Sequence, residues 1–379
     1  MRILVVHNQL WAHYKSVLFE EIQNEIYSNY PGSEFLVAQI ALYEKSREAM
    51  TSDQQQIPYS YPYQLLFRKS LDAVTLGERT RALFRLFRSY RPDVLNITGY
   101  FDYAQVALLL YARFLGVKTV ISSESSEVDK PRTGFKETLK KLFLRQADAF
   151  IGFGTTSVNY LKSLGVDEKK IVVRKAAVVD NDRILEIYRQ EKLANPANKT
   201  SFIYVGRLAE EKNLLRLLQA YATLIQQKEA EDWGLILVGE GPQRQELEQY
   251  VAAHALSGVT FTGGVSWQEV PAWLAKASVL VLPSISEPWG LVVNEAMLCG
   301  MPVIVSEKCG CAFDLVKKGS NGFLIDPLDV NSLVDSMRYY TTTPAAVPRH
   351  GSKSIKLIQP FSPESVAREI VLAYHALRQ

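Results

Sequence analysis

Short apolar runs alternate with longer helical patterns from one end of this 379-residue chain to the other, and that alternation narrows the fold more than any other feature. A strand followed by a helix has to cross over to reach a parallel neighbour, so the pattern predicts parallel sheets covered by helices on both faces, an α/β protein. The chain is too long for one ordinary core, and two domains are expected. Candidate strands in the first half are Arg2 to His7, Glu34 to Ile40, Val94 to Ile97, Val117 to Ser122, Ala149 to Gly152 and Ile171 to Arg174. The second half offers Ser201 to Gly206, Gly234 to Gly239, Val259 to Gly263, Val279 to Pro283, Pro302 to Ser306 and Gly322 to Asp326. Between the two series lies the polar stretch EKLANPANK, Glu191 to Lys199, with Pro196 inside it. The expected division is therefore a domain over 1–190, a linker over 191–199, a second domain over 200–358 and a terminal segment over 359–379. Each half reads as a doubly wound unit. In the terminal segment Val366, Ile370, Ala373, Tyr374 and Leu377 have the spacing of one helix face.

Composition excludes several classes. At 47% hydrophobic and 22% charged residues the chain is neither collagen-like, coiled-coil nor disordered. A net charge of +3 argues against a nucleic-acid partner, although residues 1–200 carry 28 Lys and Arg against 22 acids and hold the basic excess. The opening Met1-Arg2 runs straight into Ile3-Leu4-Val5-Val6, with no signal-peptide pattern, so a cytoplasmic protein is expected. Ala104 to Leu115, interrupted by Arg113, is too short to cross a bilayer. Cys299, Cys309 and Cys311 lack zinc-site spacing and read as reduced structural thiols.

The most informative stretch is Val279 to Ser306, VLVLPSISEPWGLVVNEAMLCGMPVIVS. It reads as strand, loop, helix, glycine stop, strand, with Gly290 opening the helix and Gly300 ahead of Met301-Pro302 closing it. The first-turn N–H groups of such a helix lack internal partners and suit phosphate or sugar hydroxyls. Glu287 lies before the helix and Glu295 on its second turn. Their carboxylates can accept paired hydrogen bonds from vicinal diols, of which a nucleotide sugar has two sets, one on the ribose and one on the sugar.

Strand SFIYVG ends at Gly206 and leads into Arg207-Leu208-Ala209-Glu210-Glu211-Lys212-Asn213. Arg207, Lys212 and a helix start capped by Asn213 are expected to converge where a departing diphosphate would sit, and cations there favour transfer because charge grows on the leaving group. The run Leu235 to Pro242 enters a turn at Gly239-Glu240-Gly241 that lacks the third glycine and later acid of an NAD fingerprint, which leaves a backbone contact with a nucleotide. Gly263-Gly264-Val265 reads either as main chain against a base edge or as a plain turn. Asp180-Asn181-Asp182 has the Asp-x-Asp spacing of a metal site. Arg207 and Lys212 already supply the positive charge a metal would bring, so no metal is expected.

His7 and Glu124 fall at carboxyl ends of N-terminal strands, where they either line an acceptor side or are ordinary polar residues. Arg79, Arg81, Arg85, Arg88 and Arg91 interleave with Leu83, Phe84, Leu86 and Phe87, and Lys136, Lys140, Lys141 and Arg145 with Phe135, Leu139, Leu142 and Phe143. Such basic amphipathic helices turn their apolar faces into the protein's own core or lie on an anionic bilayer.

The motifs VGRLAEEKN, LVGEGP, VTFTGGV, PSISEPWGLVVNEAMLCGMPVIVS and NGFLIDPLD make the segment from Ser201 to Leu328 resemble family 4 of the glycosyltransferases, retaining enzymes of the GT-B fold. The resemblance implies two Rossmann-like domains facing a central cleft, the N-terminal one on the acceptor side, with the C-terminal helix crossing back to it. It implies that Arg207 and Lys212 bind the donor diphosphate, Glu287 holds the transferred sugar and Glu295 the ribose. Trp289, Gly290 and Leu291 would contact sugar and phosphate. It further implies front-face transfer with no covalent intermediate, no required cofactor and no essential metal. The donor would be a UDP-, GDP- or ADP-linked sugar, and the acceptor a glycan, a lipid-linked sugar or a small molecule. The N-terminal half departs from the pattern, having His7-Asn8-Gln9-Leu10-Trp11 where a Gly-Gly loop is common. A sugar-nucleotide epimerase or phosphorylase of the same shape and a non-catalytic nucleotide-sugar binder are the competing readings.

Overall fold

The computed structural model describes residues 1–45, 59–99, 101–124, 135–195 and 200–378. They form two compact units, one of Met1–Val178 with Phe361–Gln379 and the other of Val179–Pro360.

In the first unit the chain runs β1 (Arg2–Gln9), α1 (His13–Asn29), β2 (Glu34–Ala41), β3 (Tyr63–Leu65), α2 (Leu76–Tyr90), β4 (Val94–Ile97), α3 (Tyr103–Phe114), β5 (Lys118–Ser123), α4 (Phe135–Leu144), β6 (Ala149–Gly152), α5 (Thr155–Ser163) and β7 (Ile171–Val173). The seven strands are all parallel, in the order β3-β2-β1-β4-β5-β6-β7. Ile3, Leu4, Val5 and Val6 are all buried, as expected of a strand covered on both faces, which shows a continuous apolar run instead of alternation. Strand β3 is absent from the sequence reading because three residues at a sheet edge show no period. The chain winds outward from β1 to β3 and then restarts at β4, which makes the carboxyl ends of β1 and β4 this sheet's switch point.

The second unit runs α6 (Asn181–Ala194), β8 (Thr200–Val205), α7 (Leu214–Gln226), β9 (Trp233–Val238), α8 (Arg244–Ala253), β10 (Val259–Gly263), α9 (Val270–Ala275), β11 (Val279–Leu282), α10 (Leu291–Leu298), β12 (Val303–Ser306), α11 (Ala312–Leu315), β13 (Gly322–Ile325), α12 (Val330–Thr342) and α13 (Ala346–Ile358). Its six parallel strands lie in the order β10-β9-β8-β11-β12-β13, so the winding reverses between β8 and β11. Helix α6 packs on α9 and α10 and belongs to this unit, so the chain changes unit at Val178–Val179 and not at residue 190. The polar segment from Glu191 starts inside that helix, and 196–199 lie outside the described residues.

The last helix, α14 (Pro363–Ala376), returns to the first unit and packs on α1 and β7. Ser362 caps it by accepting from the N–H of Ser365, and Val366, Ala367, Ile370, Val371 and Tyr374 are buried. Asn96 Nδ2 on β4 donates to Tyr374 Oη at 2.6 Å, which fixes the helix in register.

Candidate functional site

Ligands of open parallel sheets gather at carboxyl ends of strands beside the switch point. In the second unit that point lies between β8 and β11, and the structure joins the loops that leave them. The N–H of Ile285 donates to the carbonyl of Glu211 at 2.8 Å. Lys212 Nζ donates to Glu287 Oε2 at 2.6 Å, with only 13% and 18% of the two side chains exposed. The sequence reading placed Lys212 with Arg207 and Glu287 with Glu295; the closest pairing is instead Lys212 with Glu287. Arg207 is 74% exposed and pairs with Glu211, four residues on, at 2.6 Å. A guanidinium held that loosely remains available to a ligand, because a surface ion pair contributes little.

Asn213 does not cap α7, contrary to the sequence expectation. It is buried in the left-handed conformation at φ 61°, and its Nδ2 donates to the carbonyls of Pro283 at 3.1 Å and Pro327 at 2.7 Å. One amide therefore ties the start of α7 to the chain leaving β11 and to the chain leaving β13. The sequence clue was an asparagine just ahead of a helix, but the same clue serves a cap and a left-handed clamp.

Glu287 is held from a third side. Its carbonyl accepts from the N–H of Gly310 at 2.9 Å, and Cys309, Cys311 and the indole of Trp289 are buried beneath it. All three cysteines are free, and burial pushes the thiols of Cys309 and Cys311 up, so they stay protonated. Trp289 Nε1 donates to Asn294 Oδ1 at 2.9 Å, which anchors the buried indole under the loop. Gly290 stands at φ 96°, and a Cβ there would lie 2.7 Å from Leu282 Cδ2. That residue begins α10, eight residues long and two shorter than the sequence spacing suggests, with Leu291 first. Glu295 lies on the half-buried face of α10 with Leu291 and Leu298, and its carboxyl has no hydrogen-bond or ion-pair partner among the described residues. Burial pushes its carboxyl up to about 8.

The glycines after β9 serve the loop after β8. A Cβ on Gly239 would lie 1.9 Å from the carbonyl oxygen of Gly206, and one on Gly241 2.3 Å from that of Leu208. The close approach allows Leu208 N–H to donate to Glu240 O and Gln243 N–H to Leu208 O, both at 2.9 Å. The turn thus buttresses the segment that carries Arg207. Val265 is half-buried just beyond β10. Asp180 caps α6 by accepting from the N–H of Arg183 at 3.2 Å, which gives the Asp-x-Asp pattern a structural occupation. Among the described residues no group of three or more His, Cys, Asp or Glu is placed to hold a metal ion.

In the first unit the structure adds a residue that the sequence reading missed. Lys15, in the first turn of α1, is buried with Nζ 2.8 Å from Glu124 Oε1 and 4.5 Å from the centre of the Phe153 ring. Tyr14 Oη donates to the other carboxylate oxygen at 3.3 Å. Burial works to raise the carboxyl of Glu124, but Lys15, His7 and Tyr14 together hold it below its usual value. His7 Nδ1 faces the oxygens of Gln9 and Gln39 at 2.9 and 3.0 Å, so Nδ1 carries the proton. Burial, then Lys15, lower His7 to about 4, and the ring is neutral at pH 7. A lone lysine in an apolar stretch was the available signal.

Residues 188–353 match the family described as Glycosyl transferases group 1, and residues 39–175 the Glycosyl transferase 4-like domain. The second half of the chain, over residues 188–353, is a group 1 glycosyltransferase domain. It is 30% identical over 136 residues to the alpha-D-kanosaminyltransferase of Streptomyces kanamyceticus, which covers 36% of this chain and 34% of that protein. Across the first three curated relatives the matched region is 34% to 50% of their length. Among solved structures, sucrose-phosphate synthase from Thermosynechococcus elongatus superposes with a TM-score of 0.72 at 20% identity, covering 100% of this chain and 99% of that one. The Anabaena HepE chain in complex with UDP-glucose superposes at 0.67 with 18% identity and 99% of each chain covered. These likenesses establish a GT-B architecture of two Rossmann-like sheets.

Proposed function

We propose that this glycosyltransferase is a retaining enzyme that moves a sugar from a nucleoside-diphosphate donor to a glycan, lipid-linked or small-molecule acceptor, in the synthesis of cell-surface polysaccharide or glycolipid. The second unit takes the donor and the first unit the acceptor. The observation that carries the reading is the Lys212–Glu287 pair at the switch point of the second sheet. A cation and a carboxylate in contact there match the two needs of a nucleotide sugar, charge neutralisation on the diphosphate and acceptance of hydrogen bonds from sugar hydroxyls.

In this mechanism Lys212 and Arg207 bind the diphosphate, and Glu287 orients the sugar. Glu295 on α10 takes the ribose diol, and the N–H groups of Leu291 and Val292 at the start of α10 face phosphate oxygens. The bond from the anomeric carbon to the diphosphate oxygen breaks as the acceptor oxygen bonds to the same face of that carbon. The acceptor proton passes to the departing oxygen. Negative charge grows on the diphosphate as it leaves, so cations already in place lower the barrier and do more than tighten binding. They do the work a metal would do, and the reading is therefore metal-independent. The UDP-glucose in the Anabaena HepE structure supports a nucleotide sugar as donor.

The test is thermal unfolding with UDP-, GDP- and ADP-sugars, followed by detection of nucleoside diphosphate release with candidate acceptors. One nucleotide class should raise Tm by on the order of 5 °C at about 100 times its Kd. The product anomer, read by NMR, should match the donor. Inversion would end the retaining assignment, and an epimerised or phosphorolysed donor without acceptor would end the transferase assignment.

A further inference from the structure

Helices α2 and α3 of the first unit carry a surface that the transferase reading does not use. On α2, Arg81, Arg85 and Arg88 follow the spacing of a single helix face, and all three are exposed. They line one groove with Phe84, and Arg88 and Arg91 line an adjoining groove with Leu115. Among the described residues none of these four arginines has a carboxylate partner, whereas neighbouring Arg79 pairs with Asp102 at 3.4 Å and Arg113 with Asp148 at 3.5 Å. The Arg88 guanidinium lies over the rings of Phe84 and Tyr111, at 6.0 and 5.7 Å, which brings the arginine row against α3.

Along α3, Tyr103, Leu110 and Phe114 recur at helical spacing and are exposed, Phe114 by 85%, with Leu115 exposed just after it. The opposite side of α3, with Ala104, Leu108, Leu109 and Ala112, is already in the core. The apolar side of α2 is spent in the same way, since Leu83, Leu86 and Phe87 are buried. Exposed apolar surface beside the arginines therefore comes from α3, not from the helix whose pattern suggested it.

We propose that this face of α2 and α3 docks on an anionic phospholipid bilayer, the arginines on lipid phosphates and Phe114 with Leu115 at the boundary between headgroups and acyl chains. The two halves of the surface need different surroundings, fixed negative charge and an apolar phase, and an anionic interface supplies both within one helix width. A second copy of the chain is disfavoured, because a symmetric contact would set the same four unpaired arginines against each other. The second helix that the sequence pointed to, α4, carries Lys141 and exposed Leu142, while the side chains of 135–139 lie outside the described residues. The inference is independent of the donor chemistry.

Flotation of the full chain with phosphatidylcholine vesicles, with and without phosphatidylglycerol, tests it. Binding is expected only to the phosphatidylglycerol vesicles and should vanish in high salt. Changing Arg81, Arg85 and Arg88 together to Gln should weaken the partition on the order of 100-fold. Phe114→Ser should weaken it by about 10-fold while keeping the preference for anionic lipid. These side chains are exposed, so circular dichroism and melting should match the parent. Equal binding to neutral vesicles, no binding to either, or an unchanged triple variant would overturn the proposal. So would a dimer that Phe114→Ser converts to a monomer.

Discussion

Lys212 Nζ and Glu287 Oε2 lie 2.6 Å apart although 75 residues separate them in the chain. The contact closes the switch point of the second sheet, because Lys212 follows β8 and Glu287 follows β11. Both groups are mostly withdrawn from water, so removing one leaves the other charge poorly solvated. Lys212→Ala should lower stability by about 3 kcal/mol. It should also lower turnover on the order of 100-fold or more by removing charge from the leaving-group side. Lys212→Met with Glu287→Met should recover most of the stability and none of the turnover, which separates folding from chemistry. Equal turnover in Lys212→Ala and the parent would sink the donor-site reading.

Arg207 provides the contrast. Its exposed pair with Glu211 adds little to the fold, so Arg207→Ala should leave Tm within about a degree of the parent. If it binds the diphosphate, turnover should still fall on the order of 100-fold. Calorimetry beside steady-state kinetics distinguishes this split from the paired loss expected at Lys212.

Glu295 gives a dependence on pH. The folded protein holds its proton up to about pH 8, whereas the ordinary carboxyl releases it near 4.5, so between those values the folded state binds more protons. Stability should therefore fall as pH rises from about 4.5 to about 8 and level off above. Glu295→Gln, which cannot ionise, should flatten that slope and melt higher than the parent at pH 8. Chemical denaturation at three pH values checks it, and parallel pH profiles for the two proteins would refute the assignment.

His7 behaves in the opposite sense. Its ring is lowered from 6.5 to about 4, so the unfolded chain binds the extra proton and stability is lost as pH falls from about 6.5 to about 4. Lys15 is part of the cause, so Lys15→Met should move the His7 titration upward. Imidazole NMR signals followed from pH 3 to 8 would show it, and an unmoved midpoint would remove Lys15 from the account.

Strand-helix alternation made two parallel sheets legible, since strands such as β6 and β11 are buried from end to end and read as apolar runs. What remained hidden depended on contacts between segments far apart in sequence. Helical spacing cannot tell which unit α6 packs on, and the pair of loops at Gly239 and Gly206 looks in sequence like a nucleotide turn because both uses require the absence of a Cβ. That the Trp289 indole is buried with its N–H on Asn294, five residues on, was equally hidden. Lys15 was missed for the same reason, because its value to Glu124 comes from a partner 109 residues away, after β5.

Asn213 is where local conformation and long-range contact meet, and variants can separate them. Its left-handed backbone at φ 61° disfavours most side chains, while its amide bonds two carbonyls from different strands. Asn213→Ala loses both, leaving the Pro283 and Pro327 oxygens short of a donor in a buried place, and should cost about 3 kcal/mol. Asn213→Gly relieves the backbone and still lacks the donor, so it should recover only about 1 kcal/mol of that loss. Asn213→Asp keeps the shape and replaces the donor by an acceptor facing two carbonyls, and should be at least as damaging as alanine. The order Asn, Gly, Ala, Asp in denaturant midpoint is the expected result. A glycine variant as stable as the parent would mean that the conformation alone matters and that the clamp does not hold the loops of β11 and β13 together.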